Sequence, residues 1–308
     1  MRTIQTPLIR AVAIVAAVAA GIAGAPGVMA EVIDDELAFS IRLARAGFLD
    51  LAEDRIRAVV VTDPVRRVEV LVDVLAGVRL ERGIALAVHV GTPAIDGADS
   101  LFLEEARAAL EGAIEAVGDG RALAAEMIAD LTPRQQREVD ELTRFGLIRH
   151  AEAMLELALL EAPGSFGRAL RLEAAHDAAT TFLWDQGDSS VWSPAAYLVL
   201  GRVDAAAAGD GENVLVRHES ALMALGMIAA PRDGADDETA AYHADLHRRA
   251  RATTAEILTD AADRLESGVI AGEELARATA IYLDEGRLER DVAEVVGELR
   301  GRVLLLGL

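Results

Sequence analysis

Two stretches of this chain read alike: Leu43–Pro64, LARAGFLDLAEDRIRAVVVTDP, and Leu142–Pro163, LTRFGLIRHAEAMLELALLEAP. Aligned without a gap, they share Leu43/Leu142, Arg45/Arg144, Gly47/Gly146, Glu53/Glu152 and Pro64/Pro163. Apolar residues also meet at Leu49/Ile148, Ala52/Ala151, Ile56/Leu155, Val59/Ala158 and Val60/Leu159. Each stretch reads as a helix end, a glycine turn, a return helix and a proline stop, because glycine adopts the left-handed conformation of a helix terminus and proline cannot continue a helix. A helical hairpin with so short a turn brings its two helices together antiparallel.

Working outward, the flanks are helical too. Alanine, leucine, glutamate and arginine dominate, and alternating β-branched runs are rare, so the composition predicts an all-α fold. Ile33, Leu37, Ile41 and Ala44 form a helical stripe that Gly47 ends. Residues 65–90 continue as helix, with Gly77 and Gly83 as weak points. Residues 91–97 (GTPAIDG) are a loop, and the helix after it is expected to end at Gly118-Asp119-Gly120. Thr132, Pro133 and Gln135 form a capping box that opens the second stretch. That helix is expected to turn at Gly146 and return to Pro163. Helices are then expected over 166–184, 195–208, 213–229 and 239–265, with a closing hairpin about Gly286. The total is about twelve helices joined by short loops.

The two stretches resemble the tetratricopeptide repeat. The matching positions are Gly47, Ala52, Val59 and Pro64, then Gly146, Ala151, Ala158 and Pro163, with best units at 33–66 and 131–164. Tyr197-Leu198-Val199-Leu200-Gly201 resembles the family's aromatic-x-x-Leu-Gly opening. Ser40 and Val139 stand where the family favours glycine, and the copies start 99 residues apart, not one unit of about 34. The resemblance implies a right-handed superhelical solenoid of antiparallel hairpins over 31–308, and a concave face that holds peptides or other proteins.

The N-terminus reads as a signal peptide over residues 1–30. Arg2 and Arg10 precede the uncharged apolar run 11–23, which is too short for a span of about 20 residues. Val28-Met29-Ala30 offers a cleavage site. The expectation is a bacterial protein exported to the periplasm or beyond, with no integral membrane span in the mature chain. The chain carries a net charge of −21, which disfavours nucleic acid and anionic lipid as partners. Cysteine is absent, which excludes disulfides and thiolate metal sites. The apolar end, residues 303–308 (VLLLGL), leaves self-association open.

Chemical motifs are few. His243 and His247 stand four apart on one helix, a spacing that places both rings on one face for a metal. Ala244 occupies the glutamate position of the HExxH protease pattern, and Arg248, Arg249 and Arg251 follow, which repel a cation. No cofactor is expected, and no nucleophile elbow or phosphate loop is present. The expectation is therefore a non-enzymatic scaffold binding a protein or peptide in the cell envelope. A metal site or metal-dependent enzyme built on His243 and His247 is the alternative. Phe182, Trp184, Trp192 and Tyr197 concentrate the aromatic residues of a chain with only 4% of them. Trp184, Trp192 and Tyr197, with the basic Arg248 and Arg249, are the candidate partner-binding residues.

Overall fold

The structure, a computed structural model, describes residues 26–88, 98–186, 190–211, 213–228, 237–267 and 292–305. Every regular element among them is helical. The chain divides into two compact units, Met1–Thr62 and Asp63–Leu308.

The first unit is a hairpin of α1 (Pro26–Arg45) and α2 (Leu49–Ala58). Gly47 turns the chain at φ +84°. The Phe48 N–H donates to the Leu43 carbonyl at 2.9 Å and the Gly47 N–H to the Ala44 carbonyl at 2.9 Å, which together form a Schellman motif. Leu37, Ser40, Ala52 and Ile56 are buried. The Ser40 hydroxyl is satisfied by the Glu36 carbonyl at 2.8 Å. Helix α2 stops at Ala58, short of the expected stop at Pro64, and Val59 is extended. Helix α1 begins at Pro26, so the expected cleavage site at Val28–Ala30 lies inside its opening turns. Residues 1–25, the rest of the expected signal segment, lie outside the described residues.

The second unit opens where the first stretch was expected to stop. The Asp63 carboxylate accepts the Arg66 N–H at 2.8 Å and Pro64 takes the first helical position, so Asp63-Pro64 starts a helix. It runs as α3 (Pro64–Glu69), a π-helical segment (Val70–Leu75) and α4 (Ala76–Ala87). The irregularity thus falls at 70–75 and not at Gly77 or Gly83. Next come α5 (Ala98–Met127), a 3₁₀ turn (Ile128–Asp130), α6 (Pro133–Leu159), α7 (Phe166–Gln186), α8 (Ser193–Gly209), α9 (Val214–Gly226), α10 (Asp237–Glu266) and α11 (Val292–Leu305). From α4 to α9 each helix packs against the next, and α10 packs on α8, α9 and α11.

Two expected breaks are absent. Helix α5 runs through Gly118-Asp119-Gly120 and α6 runs through Gly146. A glycine inside a helix costs about 1 kcal/mol relative to alanine, which burial of a continuous face outweighs. On α5 that face is Ala109, Ala113, Ala116, Val117 and Ala124. On α6 it is Val139, Phe145, Ile148, Ala151, Leu155 and Ala158. Gly146 is a packing position instead: a Cβ there would stand 2.9 Å from Val72 Cγ1 and 3.2 Å from Val117 Cγ1. The second hairpin of the expected repeat is therefore one continuous helix.

The capping box forms as read, with the Gln135 N–H on Thr132 Oγ1 at 3.4 Å and the Thr132 N–H on Gln135 Oε1 at 3.1 Å. Ser193 is buried in the first turn of α8, and Trp192 takes the flanking position. The loop expected at 91–97 and the hairpin expected about Gly286 lie outside the described residues.

Candidate functional site

Helix α7 has two unlike faces. Leu172, Ala175, Ala179 and Phe182 point into the core. Phe166, Leu170, Glu173, Asp177, Thr181 and Trp184 are exposed at intervals of three and four, which makes them one outer stripe. Phe166 and Trp184 are 84% exposed each, the most open aromatic side chains of the described residues. They are eighteen positions apart, which is five helical turns, so they share a side about 27 Å apart. The helix starts here because Gly164 turns the chain at φ +72° and the Ser165 hydroxyl accepts the Arg168 N–H at 3.2 Å.

The amino-terminal half of this stripe borders a groove of about 670 Å³ between α7, α8 and α9. Phe166, Leu170, Val203 and Ala207 give it apolar walls, while Glu173 and Asp177 lie on its α7 side. The arginines around it are already paired. Arg168 donates to Asp210 at 2.8 Å, Arg217 to Asp204 at 2.7 Å, and Arg171 pairs with Glu161. Glu173 has no ion pair among the described residues, and Asp177 faces only the His176 ring at 3.7 Å. The groove thus combines apolar walls with polar groups in nearly equal measure, and the charge left uncompensated on its α7 side is negative. Phe166 and Leu170 are not among the residues the sequence singles out, because only α8 and α9 beside them make their face a groove.

The residues singled out from sequence fall in several places. Trp184 lies on the outer stripe of α7. Trp192 joins a second cluster, with its ring 4.4 Å from Phe145 and 5.4 Å from Tyr242. Tyr197 is half-buried against the core of α8 and its neighbours. Arg248 is exposed and pairs with Asp245 on its own helix. Arg249 is half-buried and lies near Tyr242. Trp184 and Arg248 are therefore open to a partner, whereas Tyr197 is mainly structural.

The Trp192 cluster surrounds Arg149 of α6. Its guanidinium lies 4.9 Å from the Phe145 ring centre and pairs with Glu152 at 3.1 Å and with Asp73 at 3.3 Å. Asp73 comes from the π-helical segment. Burial alone would lower the Arg149 pKa, but Glu152 and Asp73 outweigh it and hold the group charged. The Tyr242 hydroxyl is pushed above its ordinary value by burial first and by Glu152 second, so it stays protonated. The His243 Nε2–H donates to the Val191 carbonyl at 3.3 Å, which ties the loop before α8 to α10. This cluster welds four segments together.

Among the described residues no three histidine or acidic side chains converge as a metal site. The pair His243 and His247 therefore has no third ligand there. Among the same residues no helix is long and apolar enough to cross a membrane. No protein-family model, curated protein or solved structure matches this chain.

Proposed function

We propose that this chain is an exported, non-enzymatic helical scaffold that binds a segment of another protein in the cell envelope. The observation that carries the reading is the outer face of α7, where Phe166 and Leu170 stand exposed beside a groove and Trp184 stands exposed at the far end of the same stripe. Large exposed apolar side chains gathered on one face mark interaction sites, since a monomer gains nothing by leaving them in water. The packing of each helix from α4 to α9 against the next supports a stacked, solenoid-like array. Export rests on the charged and apolar pattern of residues 1–30.

A photo-crosslinking residue placed at 170 or 184 in the full chain, in its native cells, tests the reading. The expected result is a discrete adduct from both positions and none from position 141, an exposed site on α6. Equal, diffuse labelling from all three would reject it. The amino-terminal sequence of the protein recovered from the envelope tests export: a start at Glu31 is expected.

A further inference from the structure

Resting on that docking reading, we infer that the α7 face takes a cationic amphipathic helix of about eighteen residues from a partner protein. Three features of the face define this occupant.

The first is length. The apolar anchors lie at the two ends of the stripe, Phe166 and Leu170 at one and Trp184 at the other, about 27 Å apart. A ligand using both must span that distance, which a helix does in about eighteen residues.

The second is backbone chemistry. An extended peptide that docks by strand addition pairs its N–H and C=O groups with a sheet edge, and the described residues hold no strand to offer one. A helix satisfies its own backbone and needs only side-chain contacts from the surface it lies on.

The third is charge. Between the anchors lie Glu173 and Asp177, while Arg168, Arg171 and Arg217 beside the groove are each held by a carboxylate of the fold. A partner meeting this face therefore gains from arginine or lysine at its centre. A second copy of the chain, itself at −21, would bring like charge to the same place. An anionic lipid surface or a nucleic acid would be repelled for the same reason.

The occupant thus has leucine-like anchors at both ends of one face and basic residues between them. The anchor at one end enters the groove beside Phe166, Leu170, Val203 and Ala207, and the other rests on Trp184.

The test uses the full chain and three dye-labelled synthetic peptides, followed by fluorescence anisotropy. One peptide is an eighteen-residue helix with leucines at both ends of a face and arginines at its centre. The second has glutamate for arginine, and the third is a scramble of the first. The arginine peptide is expected to bind at least tenfold more tightly than either of the others, and to weaken with added salt. Glu173→Gln with Asp177→Asn should lower its affinity about fivefold, in line with two exposed charge contacts. Phe166→Ala with Leu170→Ala should lower it tenfold or more, as truncated anchors do. Glu115→Gln with Asp119→Asn, an exposed acidic pair on α5, should leave it unchanged. All these positions are exposed, so circular dichroism and melting should match the parent chain. If both acidic pairs weaken binding equally, the attraction is bulk charge and the inference falls. If the glutamate peptide binds through Phe166 and Leu170, the docking reading stands and the cationic assignment is wrong. If no peptide depends on Phe166 and Leu170, both readings fall together.

Discussion

Leu43–Pro64 and Leu142–Pro163 share their glycine, their glutamate and their proline, and the chain uses each of the three differently. Gly47 lies in open space at φ +84° and closes a Schellman motif. Gly146 sits mid-helix with Val72 and Val117 against it. Pro64 takes the first position of α3, whereas Pro163 lies exposed in the loop after α6. Glu53 and Glu152 are both buried at 6% exposure, but Glu53 reaches the open Arg57 at 2.7 Å and Glu152 the enclosed Arg149 at 3.1 Å. Within its own unit the first stretch packs as α2 against α1 among the described residues. The second is the centre of its unit, with α5, α7 and α8 packed around α6. A glycine permits a turn and also permits a close crossing. What surrounds it decides between them.

The largest effect should come from breaking the glutamate contrast. Arg149→Met leaves the buried Glu152 carboxylate without its cation, and the half-exposed Asp73 adds little, so the cost is about 2 kcal/mol. Arg57→Met, at a side chain 55% exposed, should cost less than about 1 kcal/mol. Urea denaturation of both variants measures the difference. Equal losses would mean that the two glutamates are equivalent after all.

The glycines give the next effect. Gly146→Ala gains helix propensity but forces a methyl group against the short, buried Val72 and Val117 side chains, and should cost about 2 kcal/mol net. Gly47→Ala meets no atom within 4 Å, so its cost is the left-handed backbone alone, about 1 kcal/mol. Compensation separates the two sites. Val72→Ala should recover part of the loss at Gly146, whereas Gly47→Asn should be tolerated better than Gly47→Ala because asparagine accepts the left-handed region. A stabilising Gly146→Ala would show that α6 is not wedged there.

Some local signals settle their own outcome, while Asp63-Pro64, equally local, reads as a stop and is a helix start. Gly47, the Thr132–Gln135 box and the all-helical class depend on residues within one turn of each other. The end of α2 and the continuity of α5 and α6 depend on partners far along the chain, and a single-sequence reading has no access to those. Gly83 and Gly201 show the same limit. Each packs its α-carbon against a leucine and an alanine carbonyl of the following helix, Leu110 with Ala106 and Leu225 with Ala221. That crossing occurs twice in the fold, yet the more visible repeat in the sequence does not. The candidate site was half legible. Trp184 was found as a rare aromatic, but Phe166 and Leu170 gain meaning only once α8 and α9 stand beside them to form the groove.

The smallest effect sits at position 150, where the second stretch carries histidine and the first carries Leu51. Burial in α6, and then the charge of Arg121 on α5, lower the His150 pKa below its ordinary 6.5. The folded chain therefore keeps the ring neutral at a pH where the unfolded chain has begun to protonate it. Unfolding takes up protons, so stability rises with pH, is complete above the unfolded value, and is lost as pH falls through it toward the folded value. His218, between α9 and α10, acts in the same direction. Burial and Arg264 lower its pKa, while Asp260 at 3.3 Å opposes them. His150→Leu places the residue of the other stretch at this position and removes one of the two contributions. The urea midpoint should then fall less steeply between about pH 7 and pH 5 than in the parent chain. An unchanged slope would assign the acid sensitivity to His218 and the carboxylates, and would leave His150 as no more than a packing residue on α6.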